Sequence, residues 1–130
     1  MTHGDLDWNP DWSPDGTTIA FVSEGPYRLD QDGIWVVDPD DSNERQLTTR
    51  EGDGDPEWSP DGEWVAFNRE DGEYQSSASG STRFWVDICV IRPDGGDLRR
   101  LTRHAGEKGA GVPPDGKRIV FASDRAQRLV

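Results

Sequence analysis

The strongest constraint on this chain is an internal repeat. Pro10-Asp11-Trp12-Ser13-Pro14-Asp15-Gly16 returns 46 residues later as Pro56-Glu57-Trp58-Ser59-Pro60-Asp61-Gly62, with six of the seven positions identical. Each copy runs into an apolar stretch through Ala-Phe, Thr18-Ile19-Ala20-Phe21-Val22 in one and Glu63-Trp64-Val65-Ala66-Phe67 in the other. A third, degenerate copy, Val112-Pro113-Pro114-Asp115-Gly116, continues as Lys117-Arg118-Ile119-Val120-Phe121-Ala122 but lacks the Trp-Ser pair. Two further segments match between these starts: Gly33 to Asp40 with Val86 to Asp94, each leading to Arg45-Gln46-Leu47-Thr48 or Arg99-Arg100-Leu101-Thr102. Leu47 to Pro60 and Leu101 to Pro114 both span 13 residues, so the eight extra residues of the second repeat fall after Phe67. The Ser/Gly-rich stretch from Gly72 to Thr82 is therefore predicted to be an elongated surface loop.

Each repeat supplies four strand candidates, ending at Trp-Ser, at Ala-Phe, near Asp38 or Arg92, and at Leu-Thr. Four short strands per repeat of about 40–50 residues is the blade signature of propellers, including the WD-type ones. The Ser-Pro-Asp-Gly joint suits a tight hairpin, because Pro presets φ, Asp bonds the local backbone and Gly accepts positive φ. Pro39 to Asn43 and Pro93 to Asp97 carry similar turn chemistry between strands three and four. The predicted fold class is all-β, made of four-stranded antiparallel up-and-down meanders. A single blade is too thin to bury both faces. Trp12, Ile19 and Phe21, with their copies Trp58, Val65 and Phe67, are expected to pack between adjacent blades at roughly 1.5–3 kcal/mol per buried side chain.

Trp-Ser-Pro-Asp-Gly, an Ala-Phe strand, Ile-Trp-Val-Val-Asp or Ile-Cys-Val-Ile-Arg, and Arg-Arg-Leu-Thr together resemble the TolB-type β-propeller repeat over nearly the whole chain. The resemblance implies a partial propeller of about two and a half blades: repeat one at 10–48, repeat two at 56–102 and a half repeat at 110–130. Met1-Thr2 aligns with Leu47-Thr48, the end of a preceding blade's outer strand. Closed propellers usually have about four to eight blades. The sequence is therefore expected to be a fragment of a longer gene, ahead of self-association to complete a ring or an open stack. The resemblance implies a non-enzymatic scaffold for a protein or peptide partner. Similar blades also form the gating propellers of prolyl-oligopeptidase-like serine hydrolases, whose catalytic domain would lie outside this chain, and a truncated remnant without activity is a further alternative.

Charge narrows the partner classes. With 26 acidic against 14 basic side chains the net charge is -12, which repels nucleic acid and anionic membrane surfaces. Cys89 is the only cysteine, so no intrachain disulfide or thiolate cluster can form, and its expected role is a small buried apolar residue. Residues 1–10 lack the apolar run of a signal peptide. As written the chain is expected to be cytoplasmic, or periplasmic or exported if its N-terminus is truncated.

No catalytic, cofactor-binding or metal-binding residues are expected. The sequence lacks a Gly-x-Ser-x-Gly elbow, a His-Glu-x-x-His helix, a phosphate loop and a dinucleotide fingerprint, and the glycines from Gly106 to Gly111 match none of them. His3 and His104 fall outside the strand cores and read as exposed. Asp5-x-Asp7-x-Asn9, Asp38-x-Asp40-Asp41 and Asp53-x-Asp55 look like calcium loops, but none completes the pattern. In the first, Pro10 stands where the loop needs Gly and Gly16 where it needs the bidentate Glu. Asp15, Asp61 and Asp115 recur once per repeat, which favours turn-forming over acid–base roles. The six tryptophans read as inter-blade core, with Trp8, Trp35 or Trp85 as alternatives for a binding face. The loop from Phe67 to Phe84 is the one candidate contact surface.

Overall fold

The computed structural model describes residues 6–24, 32–75, 80–103, 108–111, 120–122 and 128–129. Every regular element among them is a strand. Blade one comprises β1 (Leu6–Trp12), β2 (Ile19–Glu24), β3 (Gly33–Val37) and β4 (Arg45–Gln46). Blade two comprises β5 (Asp53–Trp58), β6 (Val65–Gln75), β7 (Thr82–Ile91) and β8 (Arg99–Arg100). Each is a four-stranded antiparallel sheet in sequential order. A third sheet holds β9 (Lys108–Gly111), β10 (Val120–Ala122) and β11 (Arg128–Leu129) in the order β11-β10-β9. The chain is thus a partial all-β propeller. The half repeat differs from expectation by the short third strand β11, a two-residue pairing with β10 too brief to show as a sequence pattern.

The repeated motif explains the hairpins. In blade one the Gly16 N–H donates to the Ser13 carbonyl at 2.9 Å, and Ser13 Oγ donates to Asp15 Oδ1 at 2.7 Å while accepting the Thr18 N–H at 3.0 Å. Ser59, Asp61, Gly62 and Trp64 repeat these bonds at 2.5 to 3.0 Å. Both glycines sit at φ 72°, where a Cβ is strained. Asp15 and Asp61 are hairpin staples. Asp115 lies outside the described residues.

Leu-Thr has an equally local cause. The Leu47 N–H donates to the Ile34 carbonyl at 2.8 Å, and the Ile34 N–H donates to Thr48 Oγ1 at 3.0 Å. Leu101 and Thr102 close on Ile88 in the same way at 2.8 and 2.9 Å. The threonine hydroxyl therefore extends a two-residue outer strand by one further bond. At Gly33, a Cβ would lie 2.3 Å from the Thr48 carbonyl oxygen, so the close approach of the outer segment requires glycine there.

The main core lies between the blades. Ala20, Val22, Ile34 and Val36 of blade one meet Trp58, Val65, Phe67, Cys89 and Ile91 of blade two. Trp58, Val65 and Phe67 thus pack between the blades as expected, whereas Trp12, Ile19 and Phe21 do not join them. Ile19, Phe21 and Val37 form a separate cluster on the other face of blade one, with Trp35 against it, and Trp12 is 54% exposed. The reason is the two-residue period of a strand: equivalent positions in successive blades point the same way round the stack, so one blade offers Val65 and Phe67 while its neighbour offers the alternate residues. Cys89 is fully buried there, and burial pushes its thiol up.

The expected loop at Gly72 to Thr82 is also corrected. β6 and β7 continue outward as a paired ribbon, with Glu73 opposite Phe84, Tyr74 opposite Arg83 and Gln75 opposite Thr82, after a bulge between Glu70 and Glu73. Tyr, Thr and Phe at these positions favour strand, and residues 76–79 of the expected loop lie outside the described residues.

Ser59→Ala is expected to cost about 1–2 kcal/mol, because the hydroxyl is buried and its loss orphans the Trp64 N–H. Its Asp61 partner is held below the ordinary 3.8, first by the Ser59 hydroxyl bond and then by the Glu63 N–H. A carboxyl lowered by folding stabilises above its unfolded value and loses that contribution as pH falls through the folded one. Urea midpoints are therefore expected to separate wild type from Ser59→Ala at pH 7, with the gap narrowing below about pH 3.8.

Candidate functional site: a cleft between the innermost strands

β1 and β5 each form one of the two edges of their sheets. Both carry a bulge at the same repeat position, between Trp8 and Asp11 and between Gly54 and Glu57. Asn9 and Asp55 stand there with φ of 51° and 50°, a left-handed conformation that Asn and Asp tolerate better than most residues. Pro10 and Pro56 follow, and neither has an N–H to offer a passing strand. Bulge, proline and acidic residue together blunt two edges that would otherwise invite pairing.

Between these edges lies a cleft of about 440 Å³, lined by residues 9–12 and Pro14 of blade one and residues 55–58 of blade two. Its walls are tied across the blade interface. Asn9 Nδ2 donates to Asp55 Oδ1 at 2.6 Å, and Asn68 Nδ2 donates to Asp55 Oδ2 at 2.9 Å. The Trp58 N–H donates to Asp11 Oδ2 at 2.8 Å, and its indole Nε1–H donates to the Asp11 carbonyl at 3.1 Å. Asp11 and Asp55 therefore hold the two blades in register and fix the shape of the cleft. Asn68 Oδ1 is buried without a hydrogen-bond partner.

The acidic segments read for calcium separate into different tasks. Asp40 accepts the Ser42 N–H and hydroxyl, and Asp38 accepts Asn43 Nδ2 at 2.7 Å, so both shape the β3–β4 turn. Asp53 forms a bidentate pair with Arg69 at 2.7 and 2.8 Å, whereas Asp55 faces the cleft. Among the described residues no three His, Cys, Asp or Glu side chains gather as a metal site. Glu24, at the far end of β2, is pushed up by burial and then by Asp32, Glu51 and Glu70. His3, His104, Asp5 and the side chains of Asp7 and Trp8 lie outside the described residues.

Of the tryptophans, Trp58 is buried and Trp12 exposed, while Trp35, Trp64 and Trp85 are half-buried. Arg92 stacks 3.8 Å from the centre of the Trp64 ring, a surface contact that braces the second hairpin. The inter-blade roles of Asn9, Asp11 and Asp55 were missed in the sequence. Their signal was present as Asn-Pro-Asp-Trp and Asp-Pro-Glu-Trp at the repeat spacing, but acidic alternation drew attention to calcium instead.

No protein-family model matches the chain. A putative TolB from Agrobacterium tumefaciens is similar in structure, with a TM-score of 0.70 and 31% identity over 95% of this chain and 40% of that one. TolB from Acinetobacter baumannii gives a TM-score of 0.69 and 26% identity over 96% of this chain and 29% of that one. Among curated proteins, the uncharacterized peptidase YuxL of Bacillus subtilis is 28% identical over 151 aligned residues. That match covers 95% of this chain but only 23% of YuxL, so the chain spans about a quarter of the curated relative's length. The fold is that of a TolB-like β-propeller, in part.

Proposed function

We propose that the chain is a non-enzymatic interaction scaffold whose inner cleft holds an extended protein or peptide segment, with basic side chains set against its acidic wall. The observation that carries this is the cleft itself. Its volume of about 440 Å³ falls within the range of ligand sites, and inter-blade bonds through Asp11 and Asp55 pre-form it. Pro10, Pro14 and Pro56 give it rigid apolar walls, and Glu57 adds acidity on the blade-two side. A net charge of -12 steers the same class of partner toward it.

An array of 12-residue peptides probed with the labelled chain tests this. Binders are expected to be enriched in Lys and Arg, to weaken at least about tenfold on Glu57→Lys, and to weaken again in 0.5 M salt. Binders indifferent to charge reversal and salt would contradict the proposal.

The similarity to a protein named a peptidase favours a second reading: a propeller portion of a serine hydrolase whose catalytic domain lies elsewhere in a longer polypeptide. Hydrolysis of peptide p-nitroanilides by such a polypeptide, blocked by a serine-directed fluorophosphonate, would support that reading over the first.

A further inference from the structure

Blade two departs from blade one at a single rung. In blade one the β2–β3 pairing ends with Ser23 opposite Gly33. The same rung of blade two sets Arg69 opposite Asp87, and there β6 and β7 run on, through Glu70 opposite Val86 and past the bulge to Gln75 opposite Thr82. Their neighbour does not follow: β5 ends its pairing at Asp53 opposite Arg69. Among the described residues the last main-chain tie on that side of β6 is the Glu70 N–H, which donates to the Gly52 carbonyl at 2.9 Å. From Glu73 to Gln75, β6 therefore pairs with β7 alone.

The rung at which this ribbon leaves the sheet carries a second feature that blade one lacks. Asp53, Arg69 and Asp87 follow one another across β5, β6 and β7, and Arg100 of β8 closes on Asp87. Arg69 binds Asp53 at 2.7 and 2.8 Å, and both aspartate side chains are fully buried. The corresponding blade-one positions are Asp7, Ser23, Gly33 and Gln46, with no cation among them. Buried alternating charges cost desolvation that an apolar rung avoids, and they are satisfied in one register only. The ribbon thus leaves the sheet from a clamped base.

We propose that the outer side of β6 from Glu73 to Gln75 is a docking edge, on which a partner protein adds an extended segment rich in Lys or Arg as a further strand. Strand addition draws its affinity from main-chain N–H and C=O groups and its choice of partner from side chains. Charge makes the choice here. Residues 70–75 read Glu-Asp-Gly-Glu-Tyr-Gln, three acids and no base. The β7 arm, Thr82-Arg83-Phe84-Trp85-Val86, has one cation and no acid, so the basic segment is assigned to the β6 side. A second copy of the chain fits poorly as the occupant, because two β6 edges would set acid against acid. None of these residues lines the cleft, and the inference does not depend on a ligand there.

The probe is an acetylated peptide in which Lys alternates with Val and Thr, titrated into the nitrogen-15-labelled full chain. Two further versions are N-methylated on every second residue, one in each register. A strand added at an edge bonds through alternate residues, so one methylated register is expected to weaken binding at least about tenfold and the other to leave it within about twofold. At saturation, edge-facing amides between Glu73 and Gln75 are expected to exchange at least about tenfold more slowly. Asp71→Lys with Glu73→Lys is expected to weaken binding at least about tenfold without changing the circular dichroism spectrum, whereas Glu57→Lys, in the cleft, is expected to have no effect. No binding, equal binding by both methylated peptides, or unchanged exchange between Glu73 and Gln75 overturns the inference. So does binding that Glu57→Lys abolishes, which would assign the peptide to the cleft, or a solution mass that doubles without peptide as these amides slow, which would assign the edge to a second copy. Should the charge reversal perturb the ribbon, the two methylated peptides on the wild-type chain decide alone.

Discussion

Phe67→Ala is expected to lower the stability of the whole chain by about 3–5 kcal/mol, a fall of roughly 10–20 °C in melting temperature. Phe67 is fully buried in the cluster that joins the blades. Truncation removes contacts with both sheets at once, and neither can collapse into the space without breaking its own ladder. The Arg69 guanidinium, 5.4 Å from the ring centre, would lose its aromatic neighbour as well. Leu98→Ala is the matched control: Leu98 is 48% exposed, and its loss is expected to stay within about 0.5 kcal/mol. Thermal melts of the two variants followed by circular dichroism separate the outcomes. A Phe67→Ala melt close to wild type would mean that the blades do not depend on each other.

Asp53→Ala is expected to cost about 3–5 kcal/mol, because it removes a fully buried, bidentate carboxylate from the Arg69 cation. The pair is bidentate at 2.7 and 2.8 Å, with the Asp53 side chain fully buried and that of Arg69 11% exposed. Replacing both together, Asp53→Leu with Arg69→Met, is expected to recover at least half of the loss, since desolvating two charges offsets much of their attraction. Urea unfolding of the single and double variants forms the cycle. A double variant as unstable as Asp53→Ala would show that the pair contributes more than charge compensation.

How much of this was legible in the sequence follows from where the information sits. The hairpins, the Leu-Thr closure and the four-strand blades were readable, because Ser-Pro-Asp-Gly and Leu-Thr act through bonds within a few residues or between adjacent strands. The facing of Phe21 and Phe67 was not. Periodicity says that they lie on one side of their strands, but only the stacking of two sheets decides which neighbour each side meets. The ribbon beyond Glu70 was misread for a related reason: Glu73 to Gln75 carry polar side chains, and pairing with Thr82 to Phe84 depends on a bulge that no local composition announces. At the cleft, the bulge residues Asn9 and Asp55 sit in the repeated Asn-Pro-Asp-Trp and Asp-Pro-Glu-Trp segments, which were read as acidic alternation. Their meeting across 46 residues is a property of the stack.

Native-state hydrogen exchange on wild type and Phe67→Ala tests the central claim, that two four-stranded blades form one interdependent unit of a partial propeller. The amides of β2 and β3 in blade one and of β6 and β7 in blade two are expected to share one level of protection. The substitution, though confined to blade two, is expected to speed exchange in both by a similar factor. Acceleration in β6 and β7 alone, with β2 and β3 unchanged, would contradict the account.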